Sequence, residues 1–281
     1  MKRFFYIPVA IAAMLISNAA GFDLITPRGL GMGLTVPLSI ASASNQVNLP
    51  TFGLARGEWN IESGYNRRFE LSDLDHFYLA SSVRWRQMTF ALGASQFGKT
   101  EFYAEQILKG SATYQYDSLS IGASLSAMQV QLGNGYGRLR AVTVGAGISY
   151  RYRRLLVAGK ADNLTRPKLV DYSESLPPVF SLYAELRGKG GAYSLTGRVT
   201  LEDLQKPQFA LGQIIRLSRH GSFFWGVSSA PLEFGGGVEV NIPSGSLTYA
   251  TSVHPVLGFS HTVSFTYGSS HRKSKGQDEF K

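Results

Sequence analysis

Along most of this chain apolar and polar residues alternate with a period of two, the signature of a strand with one apolar and one polar face. Phe180, Leu182, Ala184 and Leu186 share one face, and Ser181, Tyr183, Glu185 and Arg187 the other. Val142, Val144, Ala146, Ile148, Tyr150 and Tyr152 oppose Thr143, Gly145, Gly147, Ser149, Arg151 and Arg153. Tyr193, Leu195, Val199 and Leu201 oppose Ser194, Thr196, Arg198 and Glu202, and Phe259, Val263, Phe265 and Tyr267 oppose Ser260, Thr262, Ser264 and Thr266. The pattern predicts about fourteen strands, near 59–65, 76–85, 88–96, 106–116, 119–131, 139–152, 155–164, 178–188, 192–202, 208–218, 222–229, 233–241, 245–253 and 258–267.

Length decides what kind of sheet these strands form. Sandwich strands run to about five or six residues. Many here reach about ten, the length a tilted strand needs to cross a bilayer. Tight links at Arg86-Gln87, Asp117-Ser118, Arg153-Arg154, Lys189–Gly191, Arg219–Gly221 and Ile242–Ser244 alternate with longer ones at 66–75, 97–105 and 165–177. Short turns on one side and longer loops on the other are the outer-membrane pattern. The fold expected is therefore all-β: a transmembrane antiparallel β-barrel of about 14 strands over 58–267, with both termini on the short-turn, periplasmic side. A secreted β-sandwich binding protein is the soluble alternative.

The ends differ from the middle. Basic Lys2 and Arg3, the apolar run Phe4 to Ile16 and the small residues Ser17 to Gly21 read as a signal peptide over 1–20. That run is too short for a transmembrane helix. Residues 21–57 carry Pro27, Pro37 and Pro50 together with Gly29, Gly31 and Gly33. No βαβ pattern surrounds this glycine run, so a phosphate loop is not supported. An N-terminal strand or plug entering the barrel is the simpler reading, with Gly29, Gly31, Met32 and Gly33 as candidates. Residues 268–281 form a polar, net basic tail, expected in the periplasm.

Composition sharpens this picture. Of 281 residues, 31 are glycine and none is cysteine, and charged residues make up 17%. Zero cysteine removes disulfide scaffolds, thiolate metal sites and thiol nucleophiles together. Low charge suits a surface facing lipid, and glycines suit tight turns and a crowded interior. The formal charge is +9; it is dispersed, and the chain is exported, which argues against nucleic acid. Charged strand residues belong inside a barrel, because a charge facing lipid costs several kcal/mol. Arg151, Arg153, Glu185, Arg187, Arg198 and Glu202 are accordingly the candidates for lining the lumen. Turn-side Arg86, Arg153, Arg154, Lys189 and Arg219 are placed to meet anionic headgroups of the inner leaflet. Tyr65, Tyr78, Trp85, Tyr114, Tyr116, Tyr150, Tyr152, Trp225, Tyr249 and Tyr267 suit interfacial girdles.

Catalysis finds no support. His76, His220, His254, His261 and His271 lack metal-site spacing. Ser260 and His261 are strand neighbours pointing to opposite faces, so they form no dyad. Glu62, Glu101, Glu105, Glu174, Glu233 and Glu239 show no catalytic pairing. No catalytic, metal or cofactor site is expected.

Thr26-Pro27-Arg28-Gly29-Leu30-Gly31-Met32-Gly33, then Asn48-Leu49-Pro50 and Gly53-Leu54-Ala55, resembles the N-terminus of the PorV/PorQ-type outer-membrane proteins. Pro255 to Phe265 resembles their closing strand. The resemblance implies a fourteen-stranded barrel related to the FadL fatty-acid transporters, in some members working with the type IX secretion machinery. Two roles follow as expectations. One is a non-enzymatic envelope or secretion-associated accessory with a protein partner. The other is a FadL-like passive channel for small hydrophobic or amphipathic molecules. In both the outer-membrane bilayer is the surroundings.

Overall fold

A computed structural model describes residues 23–40, 42–51, 58–133, 137–168, 175–203 and 205–269. Strands β1 (Trp59–Arg67), β2 (Asp75–Trp85), β3 (Met88–Lys99), β4 (Tyr103–Tyr116), β5 (Leu119–Leu132), β6 (Gly137–Tyr152) and β7 (Leu155–Asp162) are followed by β8 (Val179–Arg187), β9 (Tyr193–Glu202), β10 (Gln208–Arg216), β11 (Gly221–Ser229), β12 (Leu232–Ile242), β13 (Gly245–His254) and β14 (Gly258–Gly268). Each pairs with its sequence neighbours, and β1 pairs antiparallel with β14 from Asn60↔Gly268 to Arg67↔His261, closing the sheet. The molecule is the expected transmembrane-type barrel, and every expected strand is present. Closure leaves no unpaired strand edge, the condition for a sheet to sit in hydrocarbon.

The alternation maps directly onto the two faces. On β5, Leu119, Ile121 and Leu125 are exposed on the outside, while Ser120, Ser124 and Ser126 are buried inside. From Leu119 to Ala127 the outer face of β5 is apolar, eight residues along the strand. At about 3.4 Å per residue and a tilt of ~40°, this makes a band roughly 20 Å tall, close to a bilayer's apolar thickness.

At the rim holding the termini the strands turn tightly. Three of the two-residue links there begin at Arg86, Asp117 and Arg153, with φ of 57°, 50° and 51°, the left-handed backbone that matches hairpin twist. Arg86 and Arg153 lay their guanidinium groups over the preceding Trp85 and Tyr152 rings, 4.9 Å and 5.4 Å from the centroids. The far rim carries the long links at 68–74 and 163–178, but its link between β11 and β12 is only Ala230-Pro231. Long loops are thus gathered on part of that rim, because β3 to β6 extend upward as strands of 12 to 16 residues instead.

The expected signal peptide lies outside the described residues, as does the tail beyond Ser269.

Candidate functional site

The barrel interior is occupied by the N-terminal segment. Two short helices organise it: α1 (Pro27–Gly31) and α2 (Ala43–Asn48). Thr26 caps α1, its hydroxyl accepting from the Gly29 amide at 3.0 Å, and Pro27 supplies a helix-compatible φ at the first position. Ser42 caps α2 by accepting from the Asn45 amide at 3.2 Å. Asn48 reaches back to tie off the segment's start, bonding both the amide and the carbonyl of Leu24 at 2.7 and 2.8 Å.

Where this segment touches the wall, the wall is glycine. Gly212, Gly226 and Gly235 lie side by side across β10, β11 and β12. A Cβ on Gly226 would come 2.2 Å from the Met32 carbonyl carbon, and one on Gly235 would come 2.5 Å from the Leu30 carbonyl oxygen. Gly122 and Gly147, paired across β5 and β6, do the same under Pro50 and Thr51. The segment's own residues complement these sites. Gly31 approaches the Phe224 ring, and a Cβ there would meet it at 2.4 Å. Gly33 takes φ +64° hard against the Val227 backbone, a conformation an L side chain resists. Gly29 packs under the capping Thr26 hydroxyl. Met32 is fully buried among Ile214, Phe224 and Ala250. Two more apolar patches, Leu24 and Val47 against Tyr78 and Ala80, and Leu38 and Leu49 against Leu156 and Tyr183, anchor the remainder.

Charge completes the docking. Asp23 bridges two wall lysines, at 3.0 Å to Lys109 and 2.5 Å to Lys160. Asp162 contacts the same two, at 3.4 and 2.8 Å, closing a neutral cluster of four charges in the wall of β4 and β7. Arg28 donates through Nε to Glu239 at 2.6 Å. Burial works against the Arg28 charge, but Glu239 and then Glu62 outweigh it, holding the guanidinium above its usual pKa. Glu62 in turn accepts from Ser44 at 2.6 Å and from Tyr78 at 2.8 Å. Such groups are tolerated away from water because the charges are matched: Asp23 and Asp162 each meet two lysines, and Glu239 meets Arg28. The segment is thereby fastened to opposite parts of the wall.

The candidate lumen residues have separate fates. Glu185 is fully buried and accepts from the Ser39 amide at 3.0 Å, so it holds the N-terminal segment. Arg151 and Arg187 fall on the inward positions of β6 and β8 near the same rim; Leu156, directly opposite Arg151, is also opposite Glu185. Arg198 and Glu202 lie inward on β9, towards the far rim, with Arg198 buried. Arg153 is a correction: it stands outside the strand, in the turn, with its guanidinium on the Tyr152 ring. Tyr78 is another, for it faces inward onto Glu62 and is no part of an outer girdle. Sequence reading missed Asp23, Arg28, Lys109, Lys160 and Asp162. Lys109, Lys160 and Asp162 stand on the polar face of their strands, a signal that was there to use.

No family model matches the chain, and no curated protein does either. Solved structures do. The toluene transporter TodX of Pseudomonas putida superposes with a TM-score of 0.63 at 9% identity, over 90% of this chain and 99% of that one. A FadL homologue of Pseudomonas aeruginosa gives 0.60 at 12%, over 88% and 99%. The outer-membrane protein Omp33 of Acinetobacter baumannii gives 0.50 at 9%, over 75% and 97%. At such identities the likeness is one of fold: a closed outer-membrane-type barrel.

Proposed function

We propose that this chain is a FadL-like outer-membrane channel for small hydrophobic or amphipathic molecules, with the N-terminal segment as its plug. The observation that carries the reading is the N-terminal segment folded inside the barrel. It is fitted to the wall by glycine contacts and small apolar patches and pinned by a few ion pairs, and none of its helices is part of the strand ladder. The fold it shares with a toluene transporter and a FadL homologue supports the same direction. The apolar outer band supports placement in a bilayer.

Uptake of a labelled monoaromatic hydrocarbon into proteoliposomes tests the reading. Flux above protein-free vesicles is expected, and flux equal to them would count against it.

The PorV/PorQ-type accessory is retained as a second reading on one observation. The residues of that resemblance, Arg28, Gly31 and Met32, are the ones that dock the plug. Crosslinking in native outer membranes that recovers a stoichiometric secretion partner would favour it over transport.

A further inference from the structure

On the outer face of β3 to β6 the apolar surface ends, away from the termini, at a polar row. Gln96, Gln106, Gln129 and Arg140 stand directly opposite one another on the four strands. Their side chains form a relay. Gln106 donates to Gln96 at 3.3 Å, Gln129 to Gln106 at 3.1 Å, and Arg140 Nε to Gln129 at 2.9 Å. The relay fixes Arg140 in place through Nε, while the side chain remains exposed. Arg138, on the same outer face, lies two residues further up β6. Among the described residues the ion pairs involve neither arginine.

Beneath this row, towards the membrane centre, runs an apolar one: Ala94, Leu108, Ala127 and Val142, again directly paired. The two alanines leave low ground on either side of Leu108, with Phe77 and Leu79 of β2 along one flank. The resulting surface cavity, about 650 Å³, spans both rows. Gln129 is ten residues above Leu119 (129 − 119) at the near rim, or about 26 Å of membrane height at the same tilt. The polar row therefore sits at the upper edge of the apolar band, on the side away from the termini.

We propose that this cavity docks a phosphorylated lipid A molecule of the outer leaflet. Its phosphate would lie on Arg140 and Arg138, and its acyl chains on the low ground over Ala94 and Ala127, to either side of Leu108. The two halves select the occupant together. A soluble anion would gain nothing from the apolar floor, and a neutral lipid would leave two unpaired cations unused. A phosphate suits an arginine held by its Nε with the rest of the guanidinium outward, and basic clusters at a membrane interface attract anionic headgroups. The leaflet facing away from the termini is the one where lipid A carries the phosphate. The inference rests on the outer-membrane placement proposed above, but not on what the lumen carries.

Native mass spectrometry of the full chain in detergent, titrated with bisphosphorylated lipid A or with phosphatidylglycerol, tests it. Wild type should retain one lipid A, in preference to phosphatidylglycerol. The Arg138→Ala/Arg140→Ala protein should bind it at least tenfold more weakly. Ala127→Phe, which fills the low ground beside Leu108 and keeps both charges, should also lose it. All three positions face outward, so heat-modifiable gel mobility should confirm folding of each variant. Equal retention by wild type and both variants, or equal binding of phosphatidylglycerol, would overturn the proposal. Membrane fractionation checks the placement separately, since binding in detergent does not depend on it.

Discussion

The backbone of Met32 lies directly on Gly226, so close that the smallest side chain on the wall residue would meet the Met32 carbonyl carbon at 2.2 Å. The plug is seated on an inner wall shaved down to glycine where it passes. Gly226→Val should therefore lift α1 off β11 while leaving the strand pairing intact. Overpacking of this kind costs about 1–3 kcal/mol. Limited proteolysis should show faster cleavage near residues 23–51 in a barrel whose heat-modifiable mobility is unchanged.

Asp23 is the plug's contribution to the four-charge cluster. Replacing it with Asn leaves Lys109 and Lys160 sharing Asp162 alone, an excess of one buried positive charge. Breaking a buried pair from one side costs about 3–5 kcal/mol. Asp23→Asn should loosen the plug more than Gly226→Val, read by hydrogen exchange of residues 23–51. A Lys160→Met/Asp23→Leu double variant, which removes one charge of each sign, should recover much of the loss.

Gly33 combines a left-handed backbone with contact to the Val227 main chain. Gly33→Ala should weaken docking by about 1–2 kcal/mol from the backbone alone, and by more from the contact. Gly190, equally left-handed but with open space around it, should tolerate alanine with the smaller backbone cost. Thermal unfolding of the two variants separates these effects.

The assignment of faces is tested on β5. Leu125 is 57% exposed and points outward, whereas its neighbour Ser126 is buried inside. Leu125→Arg should destabilise the barrel in a bilayer by about 2–4 kcal/mol. Ser126→Ala, on the inner face, should change membrane stability little. Urea unfolding in lipid vesicles measures both.

The strands were legible because period-two alternation is a local property, and an apolar outside with polar residues inside repeats it on every strand. Its weakness is at the ends. Arg153 continues the alternation of Arg151 without a break, and only the turn's left-handed backbone removes it from the lumen. Tyr78 sits on the polar face of β2, as its alternation with Phe77 and Leu79 requires; residue type alone drew it to a girdle. The plug's contacts were beyond reach for a different reason. Asp23 meets Lys109 and Lys160 across separations of 86 and 137 residues. Nothing local specifies which wall lysine a loop aspartate finds. The glycine row Gly212, Gly226 and Gly235 becomes a row only once the register of three strands is fixed.

The central claim is that the barrel is a channel closed by its N-terminal segment. The most direct measurement compares flux of a labelled monoaromatic hydrocarbon through proteoliposomes carrying wild type or Asp23→Asn. Flux above protein-free vesicles is expected for wild type and a clear increase for the variant, in step with proteolytic exposure of the plug. Flux no greater than in empty vesicles for both, with the barrel folded and the plug demonstrably released, would contradict it.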